Sequence, residues 1–147
     1  MKSRVLLVLL ALGTITSHAV NAHAITCSNL TIKGTYAFSI RGQVLVPGGA
    51  GVVITGVAKT TFDGHGNITQ LDAVAANGNV APDWRFSTGT YSVNSNCTGA
   101  FTVTNGDEPP IHVLFVIGQS GNTLHAVVID PGFATTSDAE RIVSPSK

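Results

Sequence analysis

The chain contains 147 residues, with eight lysines and arginines balanced by eight aspartates and glutamates and with only 11% of its residues charged. Its length fits one domain, since most domains span about 100–200 residues. No cluster of basic side chains follows residue 4, so the composition argues against nucleic acid as a partner and against binding to an anionic membrane surface.

The first residues, 1–24, have the pattern of a secretory signal peptide: two basic residues, a short apolar run and a small-residue ending at Ala24. The apolar run is too short for a membrane-spanning helix, which needs roughly 20 residues, so cleavage after Ala24 is favoured over an uncleaved anchor. Because the leader removes two basic residues, the mature chain, residues 25–147, has a net charge of −2 with neutral histidines. We therefore predict a secreted or periplasmic protein with no membrane association after cleavage.

Cys27 and Cys97 are the only cysteines. A lipid anchor on Cys27 is disfavoured, because the residues before it lack the usual leucine and small residue and because Cys97 would then be an odd thiol. A redox-active pair is disfavoured by the wide spacing. We predict a disulfide that closes a loop of about 70 residues and contributes roughly 4 kcal/mol of stability.

Turn residues recur at short intervals along the mature chain, and β-branched and aromatic residues fill the segments between them. The pattern predicts an all-β domain of about eight strands, at 33–41, 50–62, 67–76, 83–93, 97–104, 110–118, 123–130 and 139–143. Short turns without helical crossovers indicate an antiparallel meander. Closure into a barrel would pair the edge strands and enclose one apolar face, and a two-sheet β-sandwich is the alternative.

Two strands stand out because they are apolar on both faces. Most strands alternate, as where Tyr36 and Phe38 flank a smaller residue, but segments 111–117 and 124–129 are apolar at nearly every position. This favours central strands covered on each side, or a contact between copies of the chain outside a barrel. A homo-oligomer is therefore one candidate assembly.

A small eight-stranded barrel either fills its interior with side chains or holds one small ligand, and a cavity of about 300 Å³ or more would favour the ligand. The candidate cavity residues are six aromatic side chains and one histidine: Tyr36, Phe38, Phe62, Trp84, Tyr91, Phe115 and His125. Aromatic residues at strand spacing also fill cores, so packing is the competing interpretation for each. Trp84 follows a Pro-Asp pair at the start of a strand, where we expect it at the barrel mouth.

The histidines of the two apolar strands form no predicted metal site. If the hairpin turn centres near residue 120, His125 faces Val116 and His112 faces Ile129, which separates the imidazoles by roughly 13 Å. Ordinary hydrogen-bonded strand histidines are the favoured interpretation. The spacing of Asp63, His65 and Asn67 in 63–67 resembles a calcium loop but lacks a later bidentate glutamate, so a hairpin turn is favoured there too.

Four short runs resemble a group of small exported proteins of environmental bacteria. They are residues 33–38 (KGTYAF), 61–69 (TFDGHGNIT), 89–93 (GTYSV) and 97–99 (CTG). The resemblance covers residues 27–105 and implies a calycin-like or allene-oxide-cyclase-like β-barrel. It implies no catalytic residues, because these runs are turn and strand signatures.

The sequence therefore predicts an exported β-barrel protein, and its lead function is non-catalytic binding of a small apolar ligand. No nucleophile motif, cofactor motif or metal-ligand spacing assigns a reaction, a cofactor or a metal. A cyclase or isomerase that uses the barrel cavity and one acid–base group, such as His125 or Tyr36, is an alternative. A structural or cell-surface protein that self-associates through its outer strands is another.

Overall fold

The computed structural model of the protein describes residues 26–80 and 82–142. The predicted leader, residues 1–24, and its cleavage site after Ala24 lie outside the described residues. Within these, no helix is long and apolar enough to cross a membrane.

Eight antiparallel strands form a closed barrel, which confirms the barrel prediction over the sandwich. The strands are β1 (Gly34–Val44), β2 (Val52–Phe62), β3 (Asn67–Ala76), β4 (Asn79–Val80), β5 (Arg85–Val93), β6 (Thr98–Thr104), β7 (Ile111–Gly118), β8 (Thr123–Val128) and β9 (Phe133–Arg141). Each barrel strand pairs with its neighbours in the chain, and β1 pairs with β9 to close the ring. The short β4 lies outside the ring and extends the end of β3.

The last strand is where the sequence prediction was least accurate. It begins at Phe133 and ends at Arg141, whereas the sequence predicts a strand only over 139–143. The inward positions of its first half include the polar Thr135 and Ser137, so this segment lacks the apolar alternation that marks a buried strand. The two-residue strand β4 was not predicted.

One end of the barrel is closed by residues 26–33, which we call the N-terminal plug. The plug contains a short 3-10 helix, Asn29–Ile32, whose last side chain is fully buried. The predicted disulfide is present: Cys27 and Cys97 are bonded, with their Cα atoms 5.0 Å apart. The covalent bond thus fixes the start of the plug to the turn between β5 and β6.

Arg141 fastens the plug to the opposite side of the same end. Its guanidinium donates hydrogen bonds to the backbone oxygens of Thr31, at 2.9 Å, and Gly121, at 2.8 Å, and it lies 4.8 Å from the centre of the Tyr36 ring. Gly121 has φ +93°, and a Cβ there would lie 2.4 Å from the Thr31 oxygen, so a glycine is needed for this close approach.

The half of the barrel next to the plug is filled by aromatic side chains in edge-to-face contact. Phe62 lies at their centre, with its ring 5.5 Å from Tyr36, 4.9 Å from Tyr91 and 6.3 Å from Phe101. Such geometry is favoured by the aromatic quadrupole. This half is a packed core, so any ligand site must lie in the other half.

The apolar hairpin β7–β8 has one buried and one exposed face. Its inward side chains pack in the core, while the outward side chains of Leu114, Val116, Val127 and Ile129 are 42–53% exposed. The expectation that both faces are covered is therefore wrong for the single chain, because the wall of a barrel is one sheet thick. The predicted register is confirmed, since His125 lies opposite Val116.

Candidate ligand-binding cavity

A cavity of about 320 Å³ occupies the half of the barrel away from the plug. All eight barrel strands contribute inward side chains to its lining, and the turn between β6 and β7 reaches it through Asn105, Glu108 and Pro109. Phe38 and Phe101, with ring centres 6.2 Å apart, lie between the cavity and the aromatic core. The volume lies at the lower end of the range for small-molecule sites, roughly 300–1,000 Å³.

Most of the lining is apolar. The aliphatic and aromatic side chains include Phe38, Ile40, Val44, Ile54, Phe101, Val103, Ile111, Val113, Val128 and Phe133. Such a lining favours a molecule with an apolar body.

One wall of the cavity carries Gln70, Asp72 and Arg85, on β3 and β5, and we call it the polar wall. Thr60 on β2 is buried next to it and does not line the cavity. Thr60 donates from its hydroxyl to Gln70 Oε1 at 2.8 Å, and Gln70 Nε2 donates to Asp72 Oδ2 at 3.0 Å. Arg85 stands opposite Asp72 on the next strand and donates to Asp72 Oδ1 from Nε at 2.8 Å, with a second guanidinium nitrogen at 2.7 Å. The network thus runs unbroken across three strands.

Burial explains why this network is continuous. Asp72 is only 4% exposed, and a buried carboxylate is tolerated only when it is paired and hydrogen-bonded. Arg85 supplies the pairing, and Gln70 binds the other oxygen. A second carboxylate, Glu108, lies 3.8 Å from another guanidinium nitrogen of Arg85 and is 60% exposed. The charged groups of the cavity are therefore two carboxylates and one guanidinium.

Thr135 lies on β9, four strands from β5 in either direction around the ring, and so on the opposite wall. It is 5% exposed, and among the described residues its hydroxyl is the buried side-chain polar atom that has no hydrogen-bond partner. Buried hydroxyls are bonded in the great majority of cases. At the edge of the cavity, this hydroxyl can bond a polar group placed there.

Of the seven predicted cavity residues, one lines the cavity. Phe38 does so, whereas four others are buried in the closed half of the barrel. These four core residues are Tyr36, Phe62, Tyr91 and Phe115. These four side chains face the interior as predicted, but they lie at the end of the barrel that the plug closes. They therefore pack in the core and do not reach the cavity.

Trp84 and His125 do not face the interior. Trp84 is 59% exposed, because Arg85 points inward and side chains alternate along a strand. His125 lies outside the barrel between two inward residues, with Nδ1 2.8 Å from Asp138 Oδ1 on β9. Both residues are thereby corrected from cavity positions to outer-surface positions.

Neither residue named for acid–base catalysis reaches the cavity. His125 is on the outer surface, where hydrogen bonding from His125 and then Arg41 lowers the pKa of Asp138. Tyr36 donates its hydroxyl to the Gly121 oxygen at the plug, and burial raises its pKa to about 12. A group with so high a pKa is a poor proton donor or acceptor near neutral pH.

The remaining polar motifs have structural explanations. Asp63 accepts hydrogen bonds from the backbone of His65 at 2.6 Å and from the side chain of Asn67 at 2.7 Å, as expected for a turn. These bonds, with the Asn67 side chain first, lower the pKa of Asp63 to about 2. The second outer histidine, His112, contacts Asp130 at 2.7 Å. No cluster of three or more metal-binding side chains occurs among residues 26–80 and 82–142.

The polar wall was missed in the sequence, although a signal exists. The inward series of β3 reads Ile68, Gln70, Asp72 and Val74, so an amide and a carboxylate interrupt an otherwise apolar face. A charged residue at such a position is a better indicator of a site than an aromatic one, because burying it costs free energy.

Comparison of the chain with protein-family models, with curated proteins and with solved structures finds no match.

Proposed function

We propose that this protein is an exported, non-catalytic barrel that binds one small molecule with a mainly apolar body in the cavity. The observation that carries the proposal is the cavity itself: about 320 Å³, mostly apolar, with the buried Asp72 paired to Arg85 on one wall and an unbonded hydroxyl on the other. A barrel that served stability alone would fill this space, since interiors are packed without voids larger than a water molecule.

Export is part of the proposal. The leader pattern of residues 1–24 supports it, and the disulfide between Cys27 and Cys97 is compatible with an extracellular or periplasmic location. The turn and strand signatures likewise support a calycin-like or allene-oxide-cyclase-like relationship, which we retain as a proposal.

Binding is favoured over catalysis by the state of the cavity's buried carboxylate. Asp72 accepts from Arg85 on one oxygen and from Gln70 on the other, so protein groups hold both of its oxygens in place. The arrangement suits a fixed polar surface that orients a ligand.

Filling the cavity tests the proposal. Val128→Trp places an indole in the cavity, and Val57→Trp makes the same change on the outer face of β2, where Val57 is 50% exposed. We expect Val128→Trp to weaken binding of the apolar fluorophore N-phenyl-1-naphthylamine at least about tenfold, and Val57→Trp to leave it unchanged. Circular dichroism verifies folding. Equal binding by both variants, or none by the parent protein, would overturn the proposal.

Self-association is a second candidate, favoured by the exposed aliphatic side chains of β7 and β8. Leu114 and Val127 are directly opposed in the register and form the centre of this outer patch. If copies meet there, Leu114→Lys should lower the sedimentation coefficient at high protein concentration, whereas Val57→Lys should not. A parent protein that sediments as a monomer at millimolar concentration would eliminate this candidate.

A further inference from the structure

We propose that the cavity selects a ligand whose polar group is a neutral or cationic hydrogen-bond donor and rejects the corresponding carboxylate. This inference rests on the proposed binding function and specifies the chemistry of the ligand. It follows from the charges, the hydrogen-bonding capacity and the geometry of the cavity lining.

The charge balance of the lining is negative. Asp72, Arg85 and Glu108 are its only acidic or basic side chains among the described residues, and they sum to −1. Since Asp72 and Arg85 compensate each other, the remaining charge is that of Glu108, which repels an added anion and attracts an added cation.

The positive charge of Arg85 is already balanced by a carboxylate of the protein. Two of its guanidinium nitrogens contact Asp72 at 2.8 and 2.7 Å, and the third lies 3.8 Å from Glu108. A ligand carboxylate that approached this guanidinium would therefore lie beside two others. The guanidinium keeps N–H donors, but Asp72 already balances its charge, so a carboxylate ligand there would add a further negative charge without a cation to neutralise it.

Acceptors, in contrast, are available. Glu108 has no contact closer than 3.8 Å to Arg85 and is 60% exposed at the edge of the cavity, so its oxygens can accept from a ligand. On the far wall, Thr135 offers a hydroxyl that has no partner within the described chain. An alkyl amine or alcohol satisfies Glu108 as a donor, and a further polar atom on the ligand would satisfy Thr135.

The test uses three ligands with the same eight-carbon chain: octylamine, octan-1-ol and octanoate. At pH 7 these are cationic, neutral and anionic, since amines of this type titrate near 10 and carboxylic acids near 4–5. Each competes with N-phenyl-1-naphthylamine for the purified protein in about 0.15 M salt, where charges beyond roughly 8 Å are screened. We expect octylamine and octan-1-ol to displace the fluorophore at concentrations at least about tenfold lower than octanoate.

Two matched variants assign the effect to the cavity. Glu108→Gln removes a cavity charge, and Asp107→Asn removes the neighbouring charge in the same turn, outside the lining. We expect Glu108→Gln to reduce the discrimination against octanoate at least about threefold and Asp107→Asn to leave it unchanged. Both sites are exposed, so neither change endangers folding.

The outcomes separate this inference from the proposed function. If the fluorophore binds and octanoate competes as well as octan-1-ol, the inference is overturned while binding stands. If Asp107→Asn changes the discrimination as much as Glu108→Gln, the effect belongs to overall charge and the inference is again overturned. If neither the fluorophore nor any of the three ligands binds, the proposed function itself fails.

Discussion

Replacing Thr135 by valine should stabilise the protein in the absence of a ligand. Valine has nearly the shape of threonine, with a methyl group in place of the hydroxyl, so the cavity wall keeps its packing. The Thr135 hydroxyl is buried without a partner among the described residues, and such a group costs about 1–3 kcal/mol. Removing it should raise the free energy of unfolding by about 1–2 kcal/mol, or Tm by roughly 3–6 °C for a domain of this size.

Thr60→Val is the matched control. Thr60 is also fully buried and faces the interior, but its hydroxyl donates to Gln70 Oε1 at 2.8 Å. The same substitution there leaves a polar-wall acceptor unpaired, so it should lower the free energy of unfolding by about 1–2 kcal/mol. Identical chemistry at two inward threonines is thus expected to give opposite signs.

The measurement is urea unfolding of protein that has been denatured, extracted with organic solvent and refolded, so that no co-purified molecule remains. Both variants are compared with the parent protein by circular dichroism and differential scanning calorimetry. If Thr135→Val is as destabilising as Thr60→Val, the Thr135 hydroxyl has a partner and no longer supports a ligand site. In protein purified without extraction, the stabilisation should shrink, because the variant also loses a ligand contact.

Three further predictions concern the plug and the turns. Burial raises the pKa of Tyr36 to about 12, so the stability that this side chain contributes is complete below pH 10 and is lost as pH rises toward 12. The loss amounts to at most about 3 kcal/mol of unfolding free energy. Urea unfolding at each pH should show this loss in the parent protein and not in Tyr36→Phe. The pKa of Asp63 is lowered to about 2, so its contribution to stability is present above pH 4 and is lost as pH falls from 4 to 2. Asp63→Asn should therefore flatten the acid unfolding curve between pH 4 and 2. An unchanged curve would contradict the assignment of Asp63 to a hydrogen-bonded turn. Replacing both Cys27 and Cys97 by serine should lower the free energy of unfolding by roughly 4 kcal/mol. The affinity for N-phenyl-1-naphthylamine should stay within about twofold of the parent value, because the disulfide lies at the opposite end of the barrel from the cavity.

The barrel was predictable because hairpin chemistry is local. The turn near residue 120 fixes the pairing of β7 with β8, and the predicted opposition of Val116 and His125 follows from it. The disulfide was predictable because two cysteines allow one intramolecular pairing. Both predictions can be made without information on how strands distant in the sequence pair in the barrel.

The site was less predictable, because it depends on distance along the barrel axis. Tyr36 and Phe38 face the same interior and are two positions apart in the sequence, yet Tyr36 packs at the plug and Phe38 lines the cavity. Periodicity identifies the face of a strand but not which end of a barrel is filled. The ion pair of Asp72 with Arg85 likewise depends on β3 lying beside β5, although β4 separates them in the sequence.

The position of the polar residues supports the proposed binding function. Burying a carboxylate costs free energy even when it is paired, so stability alone does not favour the buried Asp72 with its partner Arg85. In the half of the barrel next to the plug, aromatic rings fill the interior by close packing. The same strands carry a carboxylate, an amide and hydroxyls in the other half, where space is left open. Buried polar groups and open volume each cost stability, and in this barrel both occur in the half away from the plug. A bound ligand that fills the volume and bonds Thr135 would offset both costs.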